Sequence, residues 1–354
     1  MSDKKINIII DGVAASCEKD ETILSAAKRI GVEIPTLCND ERLEPYGGCR
    51  LCIVEIKGVP RPLPACTTPV TDGMEIVTEN DTITRIRKNL VSLLLSNHPN
   101  DCMRCEKTGE CALQDLSYRY DVDGGRFAGE RWTLTIREDN PFITYEPNKC
   151  ILCGRCTRIC NEVVMAGTIE LTGRGFNSMP DTAYGKPRSL ENCEFCGQCV
   201  STCPVGALTD RKARGKGRSY DMKKVRTTCS YCGTGCNFDL NVRDGKVVKV
   251  TSAYDAPVNH GNLCIKGRYG YDFIHSKDRI KTPLIKKRGK FQEATWDEAL
   301  DLIAKKFKSL MKKHGNETVG AFSSSRCTNE ENFLLSKFAR TVFRNNNVDN
   351  CARV

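Results

Sequence analysis

Apolar and polar positions along the chain change period several times, and each change predicts an element. Residues 5–10, KINIII, read as a strand, and Asp11–Gly12 as a turn. ETILSAAKRIG (21–31) carries Ile23, Ala26, Ala27 and Ile30 at helical spacing, with Gly31 as a stop. DTITRIRKNLVSLLLSNHP (81–99) is a longer amphipathic helix with Asp81 at its N-cap and Ile83, Ile86, Leu90 and Leu94 on one face. The stretch 117–150 has a glycine pair and scattered aromatics, which suit a loop packed on its neighbours. FDLNVRDGKVVKV (238–250) alternates around Asp244–Gly245, a hairpin signal. TWDE (295–298) is a capping box opening a helix to about His314, with Leu300, Ile303, Phe307, Leu310 and Met311 as its apolar set. TVGAF (318–322) reads as a buried strand, and TNEE (328–331) opens another helix to about Phe343. Strand, Ser/Arg loop and helix make the start of a doubly wound α/β domain.

Composition sharpens this picture. The chain has 354 residues, enough for two or three ordinary domains, with 22 cysteines but only four histidines. The start lacks a long apolar segment and a twin arginine, and the longest apolar stretch, within LVSLLLS, is too short to span a bilayer. A cytoplasmic protein with no membrane span is expected. In a reducing compartment, abundant cysteines act as metal ligands rather than as disulfides. The net charge of +10 is concentrated in part in RKARGKGRSYDMKKVR (211–226), where eight basic residues face one acid. That run reads as a solvated linker, with an acidic partner as the sharper alternative. Nucleic acid is not expected, because no stacking aromatics are interleaved.

The cysteines fall into five groups. Cys38, Cys49, Cys52 and Cys66 come first, then His98 with Cys102, Cys105 and Cys111. Cys150, Cys153, Cys156 and Cys160 form one tight run, and Cys193, Cys196, Cys199 and Cys203 another. Cys229, Cys232, Cys236 and Cys264 are the last. Only Cys17, Cys327 and Cys351 remain, Cys17 as a small core residue. Both tight runs have C-x2-C-x2-C-x3-C spacing, the two-cluster ferredoxin pattern, in which the fourth cysteine serves the other cluster. This assigns Cys150, Cys153, Cys156 and Cys203 to one 4Fe–4S cluster, and Cys193, Cys196, Cys199 and Cys160 to the second. Pro204 follows its run as the pattern expects, whereas Asn161 takes that place in the first. A zinc pair fits such crowded runs poorly.

The first group, with Gly47 and Gly48 beside Cys49, follows strand, turn, strand and helix. It resembles the β-grasp 2Fe–2S domain of the large iron–sulfur subunit of complex I and of iron hydrogenases. H-x3-C-x2-C-x5-C at His98 resembles the 4Fe–4S motif of the same families, with one histidine ligand; a zinc site on the same four residues stays open. A neutral imidazole makes a cluster less negative and easier to reduce. C-x2-C-x3-C-x27-C at Cys229, followed by GNLCIKGRYGYDFIHSKDRIKTPLIKK, resembles the cluster domain of molybdopterin oxidoreductases, formate dehydrogenases most closely. That resemblance places Lys266 between cluster and pterin, against the reading of a surface lysine. SSSRCTNEENFLLSKFARTVFRNNNVDNCARV also resembles formate dehydrogenases, and Arg326 is either a pterin dinucleotide contact or a loop arginine paired with a glutamate. In that family CARV precedes the metal-ligating selenocysteine or cysteine, so the chain is expected to be cut one residue before it.

The sequence thus predicts an α+β multidomain iron–sulfur protein. Its parts are a β-grasp 2Fe–2S domain (1–80), a helical segment with a histidine-ligated 4Fe–4S cluster (81–120), and a two-cluster ferredoxin domain (140–210). A small β 4Fe–4S domain (225–280) and a truncated α/β molybdopterin domain (281–354) follow. The resemblance implies a formate dehydrogenase catalytic subunit interconverting formate and carbon dioxide, Lys266 being its catalytic residue here. Its full-length form implies bis-molybdopterin guanine dinucleotide with molybdenum or tungsten, besides one 2Fe–2S and four 4Fe–4S clusters. The 354-residue form is expected to carry electrons but not to oxidise formate. Partners implied are a flavin- and NAD(P)-binding iron–sulfur subunit or hydrogenase subunits, since no dinucleotide or P-loop motif occurs. The rival class is an electron-transfer subunit of a hydrogenase or complex I-like assembly, and a zinc-scaffolded interaction protein is a third.

Overall fold

The computed structural model describes residues 5–127 and 129–352. It divides into two compact units, Met1–Lys223 and Lys224–Val354.

The first unit opens with a mixed sheet of β1 (Ile6–Ile10), β2 (Val13–Cys17), β3 (Ile53–Ile56), β4 (Leu63–Pro64) and β5 (Glu75–Val77), in the order β2-β1-β5-β3-β4. The period-2 alternation turns Ile8, Ile10, Ala15 and Cys17 into the core and leaves Ile9 and Val13 exposed. Helix α1 (Ile23–Arg29) is capped by Thr22, whose hydroxyl accepts the Ser25 N–H at 3.2 Å. Its Ile23, Ala26 and Ala27 complete that core, which also holds Cys17, Cys52 and Cys66. Cys17 is a buried packing residue, as expected. Sheet order and helix together make the β-grasp arrangement.

Helix α2 (Asp81–Asn97) is one residue offset from the expected start. Asn80, not Asp81, is its N-cap and accepts the Ile83 N–H at 2.9 Å. Asp81 falls in the first turn, where a carboxylate faces the positive end of the helix dipole. The helix is tied to β3 by Arg87, wholly buried, which donates to the carbonyls of Leu51 and Ile53 at 2.9 Å each. Then come α3 (Ala112–Arg119), β6 (Ile143–Tyr145), α4 (Arg155–Arg158), β7 (Glu170–Thr172), β8 (Met179–Asp181), α5 (Gln198–Thr202) and β9 (Leu208–Asp210). Strands β6 and β9 pair antiparallel and close the ferredoxin segment. A second core joins Leu51, Val91, Leu95, Leu113, Leu116 and Ile143 to Cys111, Cys156, Cys160, Cys199 and Cys203. The loop before β6 packs as expected: the Trp132 indole N–H donates to Phe176 O at 2.8 Å, and its backbone N–H to Asn97 Oδ1 at 2.8 Å.

The basic run is not a free linker. Arg211 donates to the carbonyls of Glu138 and Asn140 at 3.0 and 3.2 Å, and Arg214 pairs with Glu138 at 2.5 Å. Arg218 donates to Met103 O at 2.7 Å and also to Cys105 O. The carbonyls of a loop crowded with cysteines need donors, and the run supplies them.

The second unit contains β10 (Lys223–Thr228), β11 (Asn237–Arg243), β12 (Lys246–Ser252) and α6 (Ile265–Tyr269). The hairpin turns at Asp244 and Gly245, with φ of 49° and 72°, as an Asp-Gly hairpin turn requires. Beyond it lie β13 (Leu284–Lys287), β14 (Lys290–Glu293), α7 (Trp296–His314), β15 (Ala321–Ser323), α8 (Asn329–Phe338) and β16 (Val348–Asn350). Both capping boxes form, Thr295 with Glu298 and Thr328 with Glu331. The expected strand at 318–322 starts later, because residues 316–318 form a 3-10 turn. Strands β15 and β16 run parallel with α8 between them, a βαβ unit. No helix among the described residues is long and apolar enough to cross a membrane.

Candidate metal centres

The first cysteine group forms two thiol pairs, with Cys38, Cys49 and Cys52 on the segment between α1 and β3 and Cys66 just after β4. Cys52 and Cys66 bring their sulfurs within 3.3 Å. A hydrogen bond from Cys38 lowers the Cys49 thiol, and one from Cys52 lowers Cys66. Backbone donors also aim at these sulfurs: Leu37 N–H reaches Cys49 Sγ, and Cys49 N–H reaches Cys38 Sγ, both at 3.4 Å. Paired thiols with amide donors suit a two-iron cluster, with two thiolates on each iron.

His98 caps the C-terminus of α2 in an extended conformation and is 7% exposed. Its Nε2 is buried with no hydrogen-bond partner. It faces a cavity lined by Cys102, Cys111, Leu95, Leu113 and Ser117. Burial holds the imidazole below its ordinary value, which favours the neutral form that a metal ligand needs. Its Nδ1 accepts the Asn100 N–H at 3.3 Å. Ligation through Nε2 moves the ring proton to Nδ1, so that contact must give way. Cys105 lies outside the cavity's lining but close to Cys111. It packs on Gly206, where an added Cβ would overlap its sulfur.

The two ferredoxin runs fold alike. Leu152 and Phe195 both take φ of 53°, and Gly154 and Gly197 follow at 71° and 70°, each opening a short helix. Left-handed residues at matched places wrap the loop so that its thiols turn inward. The structure brings Cys150, Cys153, Cys156 and Cys203 around one narrow cavity with Tyr145, Val205 and Leu208. Cys160 instead lies near Cys193 and Cys199, whose thiols are raised first by burial and further by Cys160. Burial pushes Cys150, Cys153 and Cys199 up to about 12. Four thiols around one space suit a metal cluster, whose binding releases their protons.

Cys229, Cys232, Cys236 and Cys264 collect at one end of the β11–β12 hairpin and act on one another electrostatically. Cys229 N–H donates to Cys236 O at 2.7 Å, closing the loop. The Cys232 thiol is lowered first by hydrogen bonds from Thr234, then by the charges of Lys266 and Arg326. Lys266 stands on α6 and Arg326 on the loop after β15, so two distant segments of this unit place cations at one thiol. In the same region, Gly233 touches Ser325 O so closely that an added Cβ would lie 2.9 Å from it.

Among the described residues no three His, Cys, Asp or Glu side chains converge as a single metal ion requires. A four-iron cluster asks for wider spacing, since each ligand takes its own iron. Within the first unit the groups adjoin. The Tyr46 ring, near Cys49, packs on Gly154 in the first ferredoxin run. Gly206, after Cys203, packs on Cys105. The Cys150 group therefore borders both the Cys38 and the His98 groups. Three residues outside the motifs support these loops: Asp40, Lys149 and Arg218. Lys149, buried, pairs with Glu146 at 2.7 Å and Asp101 at 3.2 Å beside the His98 group. Glu146 is a local partner of Lys149 and Arg42 of Asp40, but their other partners, and those of Arg218, lie far along the chain and leave no local pattern.

Comparison with known proteins matches the chain part by part. Residues 3–81 match the 2Fe-2S iron-sulfur cluster binding domain, and 87–126 the NADH-ubiquinone oxidoreductase-G iron-sulfur binding region. Residues 140–209 match the ferredoxin-like domain of NADH-quinone oxidoreductase subunit 3. Residues 222–276 match the molybdopterin oxidoreductase Fe4S4 domain, and 279–354 the molybdopterin oxidoreductase family. The chain is 40% identical over 349 residues to the NADPH-Fe(3+) oxidoreductase subunit alpha of Geobacter sulfurreducens, and 40% over 351 residues to an NADH-quinone oxidoreductase subunit of Rhizobium meliloti. It is 31% identical over 400 residues to a putative formate dehydrogenase of Bacillus subtilis. These alignments cover 98–100% of the chain, which spans 40% of the length of each relative. A chain of an NAD+-reducing [NiFe]-hydrogenase, seen in its H2-reduced state, matches with a TM-score of 0.56 at 30% identity, covering 60% of this chain and 91% of that one. Five iron–sulfur and molybdopterin matches in unbroken order, with relatives along the whole chain, place it among the molybdopterin oxidoreductases with iron–sulfur domains, in the NADH-quinone oxidoreductase-G and formate dehydrogenase-like family.

Proposed function

We propose that the chain is the electron-relay part of an oxidoreductase subunit whose reaction is the interconversion of formate and carbon dioxide. The observation that carries this reading lies in the second unit. The Cys229 group, Lys266 and the Arg326 loop meet there, so an electron-carrying site abuts the opening of a molybdopterin domain. In the intact protein, bis-molybdopterin guanine dinucleotide with molybdenum or tungsten supplies the two-electron chemistry. The proposed ligands of the relay are the nineteen cysteines and His98 named above, holding one 2Fe–2S and four 4Fe–4S clusters. Lys266 and Arg326 are proposed to face the pterin. The route runs from the Cys229 group to the ferredoxin pair, then to the His98 and Cys38 groups and a flavin- or NAD(P)-binding partner. The adjoining Cys150, Cys38 and His98 loops support the last part of that route.

The relatives of 40% identity, with the hydrogenase chain, favour a second reading, in which the subunit relays electrons from NADPH, NADH or hydrogen without turning over formate. The test is anaerobic spectroscopy of the full-length protein with its partners. Formate should bleach the oxidised clusters. Bleaching by NADPH, NADH or hydrogen, with none by formate in metal-replete enzyme, would establish the relay alone.

A further inference from the structure

Arg188 is 3% exposed, yet its guanidinium pairs with no carboxylate among the described residues. Its Nη1 lies 3.9 Å from Cys199 Sγ, within hydrogen-bond range for sulfur, and the guanidinium lies 5.3 Å from the centre of the Tyr145 ring. The nearby Asp139 takes the backbone N–H of Arg188 at 3.2 Å and pairs with Arg137 at 3.5 Å. A second buried donor, Asn140 Nδ2, stands 3.9 Å from Cys193 Sγ. The Cys193 run thus receives one buried cation and one buried amide at its sulfurs.

Arg188 is also near enough to Cys156 of the Cys150 run to act on it, but among the described residues no cation stands at hydrogen-bond distance from a sulfur of that run. Its neighbouring arginine, Arg155, donates Nη2 to Asp40 at 3.0 Å and Nε to Thr202 at 3.0 Å, so a carboxylate already neutralises it. Backbone N–H of Leu152 reaches Cys150 Sγ at 3.4 Å. Two runs of matched backbone therefore differ in the charge placed beside them.

A buried guanidinium without a carboxylate is costly unless another anion offsets it. A four-iron cluster on four thiolates is such an anion, and reduction adds one more negative charge. A cation at its sulfurs therefore stabilises the reduced form more than the oxidised form. Resting on the iron–sulfur reading above, the geometry points to Arg188 as the cation that sets the potential of the cluster held by Cys160, Cys193, Cys196 and Cys199, making it the more easily reduced member of the ferredoxin pair. Asn140 acts in the same direction through Cys193.

The test is a redox titration of the reconstituted full-length chain followed by EPR, with Cys196→Ser used to identify the signal of that cluster. In the wild type this cluster should be reduced before the Cys150 cluster. In Arg188→Gln its oxidised-to-reduced ratio at a fixed potential should rise at least tenfold, equal to 59 mV for one electron. The Cys150 cluster should shift less, and Arg188→Lys should restore most of the loss. An unshifted potential in an Arg188→Gln protein with full iron content would overturn the inference. Should that variant fail to assemble, the wild-type order still decides, and a Cys193 cluster reduced with or after its neighbour overturns it. Zinc in place of iron in the wild type would instead overturn the iron–sulfur reading, and this inference with it.

Discussion

The Asp40 carboxylate accepts the Thr202 hydroxyl at 2.6 Å, joining the first cysteine loop to the end of α5 across 162 residues. The same carboxylate takes Arg42 at 2.8 Å and Arg155 at 3.0 Å. Burial pushes this carboxyl up, but the hydrogen bonds from Arg42 and Thr202 more than reverse that, so it sits well below the usual carboxylate range. A depressed folded value means that the contribution is complete above the unfolded value of about 3.9 and is lost only as pH falls through the folded one. Asp40→Asn should therefore cost about 3 kcal/mol, and the deficit should be the same at pH 7 and pH 5. Anaerobic denaturation curves at both values check this; a deficit that shrinks at pH 5 would contradict it.

Iron and acid-labile sulfide should each approach about 18 per reconstituted chain, from one two-iron and four four-iron clusters. Metal analysis by plasma emission decides, and a chain saturated with zinc or holding half that iron would reject the ligand set.

The buried, unpartnered Nε2 of His98 makes a specific demand. His98→Cys should keep a cluster at lower potential, because an anionic ligand replaces a neutral one. His98→Ala should lose that cluster alone. If both variants keep the wild-type spectrum and potential, His98 is no ligand.

Gly206 gives a steric test of the same group from the opposite side. In Gly206→Ala the new methyl overlaps Cys105 Sγ and sits 3.4 Å from Lys149 Cδ. Overpacking of this kind costs about 1–3 kcal/mol. The EPR signal assigned through His98 should broaden or vanish, while the Cys193 cluster keeps its signal. Equal damage to both would mean that the methyl disturbs the whole ferredoxin core.

What the sequence discloses follows from range. Cysteine spacing is largely local, so five groups could be proposed from it, and the Asp244–Gly245 hairpin and the two Thr–Glu capping boxes could be read outright. Strand β5 could not: three residues, Glu75–Val77, show no usable alternation and gain their identity by pairing with β1 and β3. The N-cap moved from Asp81 to Asn80 because either side chain can cap and only the backbone decides. Arg87, Asp40, Lys149 and Arg188 are not singled out by any motif in the sequence. They are buried because carbonyls, carboxylates or sulfurs from distant segments surround them.

The matched loops at Leu152 and Phe195, with their crossed fourth cysteines, bear on how the protein is made. On the proposed ligand set, the first run leaves the ribosome with three of its four thiols and stays open until Cys203 has been synthesised. The second run likewise depends on Cys160, made long before it. Neither half is a self-sufficient module, so metallation of the pair becomes a single late event. Until then, eight cysteines are exposed to oxidation, and a lesion in either run is inherited by both clusters.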